Sequence, residues 1–510
     1  MSRRTAAALL ITRGDGQDRA VFLVERSPEL RFFGGYWALP GGTLAAEDGD
    51  PATADGLAAA LQACAHRELF EETGLVRHAL PAARSSREAL VAARAALLAS
   101  EGRDAATASG PSPWRQLVDG TPPPPPLRAL CRMETPPFAP VRYDTVCFHA
   151  PLDGCATGTA GQRPDVRGGE LVQGRWWLPE QALASWRNGD LLLVPPVVIL
   201  LQHLARAGDF ERFARAIDAT AEGYRAGRLH QVRFSPGVVL APLRTPTLPP
   251  ATTTNCCIVG HERLWVVDPG SPDADEQQRL LDLLAELTRD GARVEGVLAT
   301  HHHPDHVGGI AALCQALDLT VRGHQLTLER LPAGCRLGAP IGDGDRIPLG
   351  RSPDGNPGWE LRAVHTPGHD RGHLCFRESR YGAALVGDML STISTIIVDP
   401  PEGHLATYLA SLERLAAAPM TTLYPAHGPA LRDGQRLLTQ YLRHRRQREA
   451  KLVETLQQGP GTVEELLPKV YWDADPKLYR FAARSLLAGL EKLAEEGRAE
   501  ASAGRWRAKA

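Results

Sequence analysis

Apolar runs at residues 6–11 and 20–24 flank the polar turn Thr12-Arg13-Gly14-Asp15-Gly16 and predict a β-hairpin. A glycine-rich turn follows at 34–42. Leu57, Leu61, Ala65 and Leu69 then recur at four-residue steps, predicting a helix over 57–73 with Gly74 as its stop. Ala-rich 86–100 predicts a second helix, the proline run 121–126 an extended linker, and 143–149 a strand. Trp176-Trp177 precedes a further helix and reads as core. Residues 191–204 are strongly apolar but interrupted by Pro195-Pro196, which predicts a buried helix broken at that point. The amphipathic stretch 209–228 is expected to hand the chain to a next domain. From 232 the rhythm changes to short strands (238–240, 256–259, 264–267), a helix over 275–289 and an apolar strand over 294–299. The tail opens on a basic helix at 443–449, carries a capping box from Thr462 to Glu465, and ends in a helix over 486–496 and a polar ribbon.

A chain of 510 residues is too long for one core, and about three domains are expected. The pattern divides it at 1–205, a helical linker 206–231, 232–440 and 441–510. A net charge of −2 advertises no nucleic acid or membrane through a global field. The nine cysteines show no C-x-x-C pair and no disulfide-like spacing, which points to a reducing compartment, the cytoplasm, and to metal ligands other than thiolates. No apolar run reaches the ~18 residues of a membrane span.

The densest chemistry lies in Thr300-His301-His302-His303-Pro304-Asp305-His306, between the strand 294–299 and a helical pattern marked by Ile310, Leu313 and Leu317. In an extended loop residues two apart point the same way, so His301 and His303 can grip one ion. Asp305 and His306, past the turn, can face a second. Imidazole and carboxylate donors suit zinc. Three more polar anchors follow at strand ends: the run from His365 to His373, Gly387-Asp388, and His427-Gly428.

This series resembles the metallo-β-lactamase superfamily over about 232–440. The resemblance implies an αβ/βα sandwich and two Zn²⁺. His301, His303 and His369 would bind the first ion, Asp305, His306 and His427 the second, and Asp388 both, with Asp268 supporting the site from behind. A hydroxide held between two cations is a nucleophile at neutral pH. Asp305 or Asp388 can take up its proton, and His373 could donate to a leaving group. His302 and His365 read as solvated or structural, and Arg371 as a surface residue or an anion partner.

In the first domain Glu68, Glu71 and Glu72 stand at i, i+3 and i+4, a carboxylate cluster suited to Mg²⁺ or Mn²⁺. Arg67-Glu68-Leu69-Phe70-Glu71-Glu72-Thr73-Gly74-Leu75, with Gly41 and Glu47 upstream, resembles the Nudix box over residues 4–205. That family hydrolyses nucleoside-diphosphate-linked compounds on an α/β/α sandwich. The resemblance implies that Glu68, Glu71 and Glu72 are metal ligands, that Glu71 also acts in catalysis, and that Arg67 orients the carboxylates. Here 19 residues separate Glu47 from Arg67 where the family has seven, an insertion of 12 that leaves the role of Glu47 open. With Arg142-Tyr143-Asp144-Thr145 on a later strand, the interrupted box resembles the coenzyme A diphosphatase-like subgroup.

Residues 441–510 carry 14 Lys and Arg against 10 Asp and Glu, a local +4. With the run His444–Glu449 they resemble the winged-helix end of the β-lactamase-like protein 2 family, which includes an enzyme that cleaves single-stranded RNA. The expectation is therefore a multidomain α/β and α+β hydrolase acting on small-molecule or nucleotide substrates, with single-stranded RNA a candidate for the central site. The alternative is a small ester or thioester hydrolase beside a non-catalytic Nudix module. The sequence carries no reading of oligomeric state.

Overall fold

The computed structural model describes residues 3–30, 33–100, 111–152, 163–166 and 168–509, and divides the chain into two compact units, Met1–Arg228 and Leu229–Ala510. Met1 and Ser2 lie outside the described residues.

The strands of the first unit are β1 (Arg3–Arg13), β2 (Ala20–Arg26), β3 (Trp37–Ala38), β4 (Gly41–Thr43), β5 (Arg128–Glu134), β6 (Arg142–Pro151) and β7 (Leu171–Trp177). Its helices are α1 (Ala54–Thr73), α2 (Ala82–Ser85), α3 (Arg87–Ser100), α4 (Pro113–Val118), α5 (Pro179–Asn188), α6 (Pro195–Arg206) and α7 (Phe210–Arg225). The sheet runs β3-β2-β1-β6-β5, with β4 also on β1 and β7 also on β2. Alternation along β1 and β2 decides the layers. Leu9, Ile11, Phe22 and Val24 pack on Leu61, Ala65 and Leu69 of α1. Leu10, Val21 and Leu23 turn the other way, onto α5, α6 and α7. The result is a three-layer α/β/α sandwich.

Two expectations change here. Pro195 and Pro196 do not break a helix; they occupy the first turn of α6, where a missing N–H costs nothing. The stretch expected to link domains folds into the first unit as α7, with Phe213 and Ile217 buried against α6 and β-strand side chains.

The second unit pairs two sheets. One holds β8 (Val238–Arg244), β9 (Thr253–Val259), β10 (Arg263–Val267), β11 (Arg293–Leu298) and β12 (Val321–Arg322), in the order β12-β11-β10-β9-β8. The other holds β13 (Arg346–Gly350), β14 (Trp359–His365), β15 (Leu374–Glu378), β16 (Ala383–Gly387), β17 (Thr422–Pro425) and β18 (Leu431–Arg432), in sequence order. Helices α8 (Ala274–Leu287), α9 (Pro304–Val307), α10 (Ile310–Leu317) and α11 (Gln325–Leu328) accompany the first sheet. The second packs on α12 (Leu405–Ala416) and α13 (Gly434–Gln457). Asn255 ties the sheets together: its N–H and Nδ2 donate to Ala426, Pro425 and Gly428 carbonyls at 2.8, 2.9 and 2.7 Å. This is the αβ/βα sandwich.

The chain ends in α14 (Val463–Val470), α15 (Tyr479–Glu495) and the hairpin β19 (Ala499–Ser502) and β20 (Arg505–Ala508), closed over Leu452, Leu466, Val470, Leu486 and Leu490. The division expected at residue 441 falls inside α13, one continuous helix of 24 residues. Among the described residues no helix is long and apolar enough to cross a membrane.

Candidate functional site

Strand β11 ends at Leu298, and the chain then turns through the histidine-rich loop into α9, so a rigid buried strand aims the motif. The other contributors leave the ends of β10 (Asp268), β14 (His369), β16 (Asp388) and β17 (His427). The predicted set converges. Nε2 of His301 and Nδ1 of His303 lie 2.9 Å apart, and Nε2 of His369 is 3.0 Å from the same Nδ1. Asp305, His306 and His427 form a second trio, with Asp305 Oδ2 3.8 Å from His306 Nε2 and 3.5 Å from His427 Nε2. Asp388 stands between them. Its Oδ2 is 3.5 Å from His369, while its Oδ1 is 3.5 Å from His306 and 3.4 Å from His427.

The hydrogen bonds behind the rings fix their tautomers. Thr300 Oγ1 donates to Asp268 Oδ2 at 2.6 Å and so accepts from His301 Nδ1 at 3.0 Å. His306 Nδ1 donates to the same Asp268 oxygen at 2.8 Å. His369 and His427 donate through Nδ1 to the carbonyls of Ile397 (2.8 Å) and Thr253 (3.2 Å). All four rings are therefore held through Nδ1 and direct Nε2 inward, the nitrogen through which each would bind a metal. Asp268 holds this position at φ 52, a left-handed backbone that Asp tolerates better than most residues.

Burial, reinforced by neighbouring imidazoles, holds His301 well below the ordinary histidine pKa and His303 at about 4. Burial alone would do the same to His306, but Asp305, Asp268 and Asp388 outweigh it and draw a positive charge there, raising it well above the usual value. His306 Nε2 and Asp388 Oδ1 are buried without a hydrogen-bond partner. Orphaned polar atoms of this kind, facing one another across a nitrogen- and carboxylate-lined centre, are what a pair of cations would satisfy.

His373 is not where a proton donor must be. It is fully buried, its Nε2 accepts the N–H of Asp388 at 3.1 Å, and its Nδ1 donates to Thr366 Oγ1 at 2.8 Å. Burial pushes its pKa down to about 3. Nε2 is taken by the Gly387–Asp388 turn and Nδ1 by Thr366, so neither nitrogen is free to serve a leaving group. His302 Nδ1 lies 2.5 Å from Asp370 Oδ2 across the two histidine loops. His365 stacks on His324 at 4.4 Å, and Arg371 Nη2 donates to the Pro401 carbonyl, so neither enters the centre.

In the first unit, Arg67 gathers the helix carboxylates. Its Nη1 donates to Glu68 at 2.7 Å and Glu71 at 3.1 Å. Its other face is held bidentately by Asp48, at 2.9 Å through both Nε and Nη2. Nothing in the sequence points to Asp48, because the insertion breaks the spacing of the box between Glu47 and Arg67. Glu47 itself accepts from Ser112. Glu72 accepts the Gly41 N–H at 2.7 Å, and a Cβ on Gly42 would stand 2.3 Å from Glu68 Oε1. Among the described residues no tight metal-like cluster of three ligand atoms is found on this unit, so the three glutamates do not close on a single point. Their excess charge remains: three buried carboxylates, Asp48, Glu68 and Glu71, share one guanidinium. Burial, set against Arg67 but helped by Glu71, raises Glu68 to about 7.

Fold and site together define a hydrolase of the metallo-β-lactamase fold. Residues 249–427 match the Metallo-beta-lactamase superfamily, 462–506 the Beta-lactamase associated winged helix domain, and 1–91 the NUDIX domain. An atrochrysone carboxyl ACP thioesterase of Aspergillus novofumigatus is 30% identical over 260 residues, 48% of this chain and 74% of the relative. A beta-lactamase-like protein 2 homolog of Drosophila melanogaster is 25% identical over 263 residues, 49% of this chain and 85% of the relative. A metallo-beta-lactamase family protein of Thermus thermophilus is 26% identical, covering 54% of this chain and 99% of its own, with a TM-score of 0.44. A NUDIX hydrolase from Alicyclobacillus acidocaldarius is 26% identical over 43% of this chain and 98% of its own, with a TM-score of 0.33. The chain belongs to the metallo-beta-lactamase superfamily, as a beta-lactamase-like protein 2 type hydrolase joined to a NUDIX domain. Both hydrolase families generally bind divalent metals.

Proposed function

We propose that the second unit hydrolyses thioesters at a centre of two divalent cations, most compatible with zinc. His301, His303 and His369 would hold one, Asp305, His306 and His427 the other, and Asp388 would face both. The observation that carries this reading is the division of Asp388, one oxygen toward each trio. When bound, such ions supply a water acidic enough to attack at neutral pH and polarise the carbonyl. The chain's residues do the rest. Asp268, Thr300 and the Ile397 and Thr253 carbonyls lock the imidazoles in their ligating tautomers. Asp305, oriented by Thr254 Oγ1 at 3.2 Å, is placed to accept the proton released by the attacking water.

Two observations favour a thioester over RNA. Relatives that share this unit are named as carboxyl ACP thioesterases. The positive charge of the winged helix is also modest, +4 over 441–510, and part of it is taken up: Arg446, Arg448, Arg484, Lys492, Arg498 and Arg505 each pair with a carboxylate. Paired cations give a phosphate backbone little to bind.

For the first unit we propose Mg²⁺- or Mn²⁺-dependent cleavage of a diphosphate, for which Glu68, Glu71 and Glu72 would supply carboxylate oxygens separately rather than as one closed cluster, Arg67 orienting Glu68 and Glu71. A coenzyme A thioester contains both bonds, so one substrate class would serve both units. Thiol release from a panel of acyl thioesters, run beside a single-stranded RNA, tests the proposal: His303→Ala should abolish thiol release and leave the diphosphatase, which Glu71→Gln should abolish. RNA cleaved by the unaltered protein while every thioester survives would overturn it.

A further inference from the structure

The run 394–401 carries no catalytic residue, yet it backs the first trio, because the Ile397 carbonyl fixes His369. What fixes Ile397 comes from the C-terminal helices. Tyr441 Oη on α13 accepts the N–H of Ile396 at 2.9 Å and donates to the Ser394 carbonyl at 3.1 Å. One turn on, Arg445 Nη2 donates to the Ile396 carbonyl. Arg445 is 9% exposed, and its guanidinium lies over the Tyr408 ring at 5.3 Å and the Tyr441 ring at 5.9 Å, so aromatic faces rather than a carboxylate receive its charge. Arg484 on α15 pairs with Asp399 and donates to the Pro400 carbonyl at 2.8 Å.

A buried arginine devoted to one carbonyl is an expensive way to order a loop. It makes sense where a small displacement of the loop carries a large penalty, and here the adjacent carbonyl sets the tautomer and direction of a single imidazole. We propose that Arg445 and Tyr441 are positioning residues for His369, through which the helix leading into the winged helix sets the affinity of the first metal site. The second trio meets this run only at one remove, through Ser391 Oγ, which donates to the His427 backbone carbonyl at 3.2 Å and is bonded by Ser394, whereas the His369 ring is held directly, so the effect falls chiefly on the first trio. The inference rests on the two-cation reading above and can fail separately from it.

The test uses the full chain loaded with Zn²⁺ and challenged with graded chelator while bound metal is counted. The unaltered protein should hold two equivalents at this centre, assayed in a Glu68→Gln, Glu71→Gln background to silence the first unit. Arg445→Met should lose one equivalent at about tenfold lower chelator, in the range found for groups that orient metal ligands, while the other is unmoved. Arg445→Lys should restore part of the loss. Tyr441→Phe, which keeps the ring and removes only the hydroxyl, gives the same one-site loss should Arg445→Met not fold. Equal weakening of both equivalents, or unchanged retention in both variants, overturns the inference. An unaltered protein holding fewer than two equivalents overturns the dinuclear reading and this inference with it.

Discussion

Replacing Asp268 by Asn isolates the contribution of one buried carboxylate to the whole centre. The side chain is nearly isosteric, and Asn is the residue best able to keep the backbone at φ 52. What changes is the sense of one atom. In the native protein Oδ2 accepts from both Thr300 Oγ1 and His306 Nδ1, and Oδ1 from the Thr300 N–H at 2.8 Å. An amide that keeps its oxygen on the Thr300 N–H turns its NH₂ on two other donors. Each buried donor left without an acceptor costs about 1–3 kcal/mol, so about 2–6 kcal/mol if neither adjusts. Thr300 can rotate its hydroxyl. His306 can adjust only by moving its proton to Nε2, the nitrogen that faces Asp305 and Asp388, and this blocks ligation. Whether His306 shifts its proton or stays unpaired, the second trio weakens, by about 10–100-fold in metal affinity, or about 1.4–2.8 kcal/mol. Chelator titration with metal counting should show the equivalent associated with His306 leaving first. Calorimetry of the metal-loaded protein should show the second unit's transition lowered by several degrees, at about 2–4 °C per kcal/mol. Retention of both equivalents with an unmoved transition would refute the tautomer argument.

Arg67→Met should destabilise the first unit by about 3–5 kcal/mol in denaturant unfolding, because it strands Asp48, Glu68 and Glu71 together; a loss under about 1 kcal/mol would show that the cluster is hydrated. His66 is buried and held at about 3, chiefly by burial and then by His78 and Arg77. The folded state therefore excludes a proton that the unfolded chain binds below about pH 6.5, so stability should fall by about 1.4 kcal/mol per pH unit on acidification from about 6.5 toward 3, and His66→Phe should flatten that slope in a pH series of melts.

The centre was legible because chelation constrains residue type and spacing together. His301, His303, Asp305 and His306 stand within six residues, and His369, Asp388 and His427 each close a strand, so their convergence followed from pattern and resemblance. Groups that act through others left weaker marks. His373 looks like a proton donor from its four-residue offset, and only burial shows both nitrogens committed. Asp48 is invisible because the insertion breaks the spacing that would point to it. Arg445 belongs to a basic run, and nothing in sequence separates it, buried, from the exposed Arg443 and Arg446 beside it. A proline pair marks a break or a beginning depending on which side the helix lies, and at Pro195-Pro196 it marks the beginning of α6.

Helix α13 runs unbroken for 24 residues, about 36 Å, from beneath β17 into the terminal hairpin's core. Leu438 and Leu442 belong to the sheet's packing at one end, Leu452 and Leu456 to the winged helix at the other. No cut along it leaves both ends intact. Dissection by truncation would thus expose an apolar stripe whichever side it fell, and chimaeras that exchange the terminal module would need to splice before Asp433, carrying the entire rod with the donor.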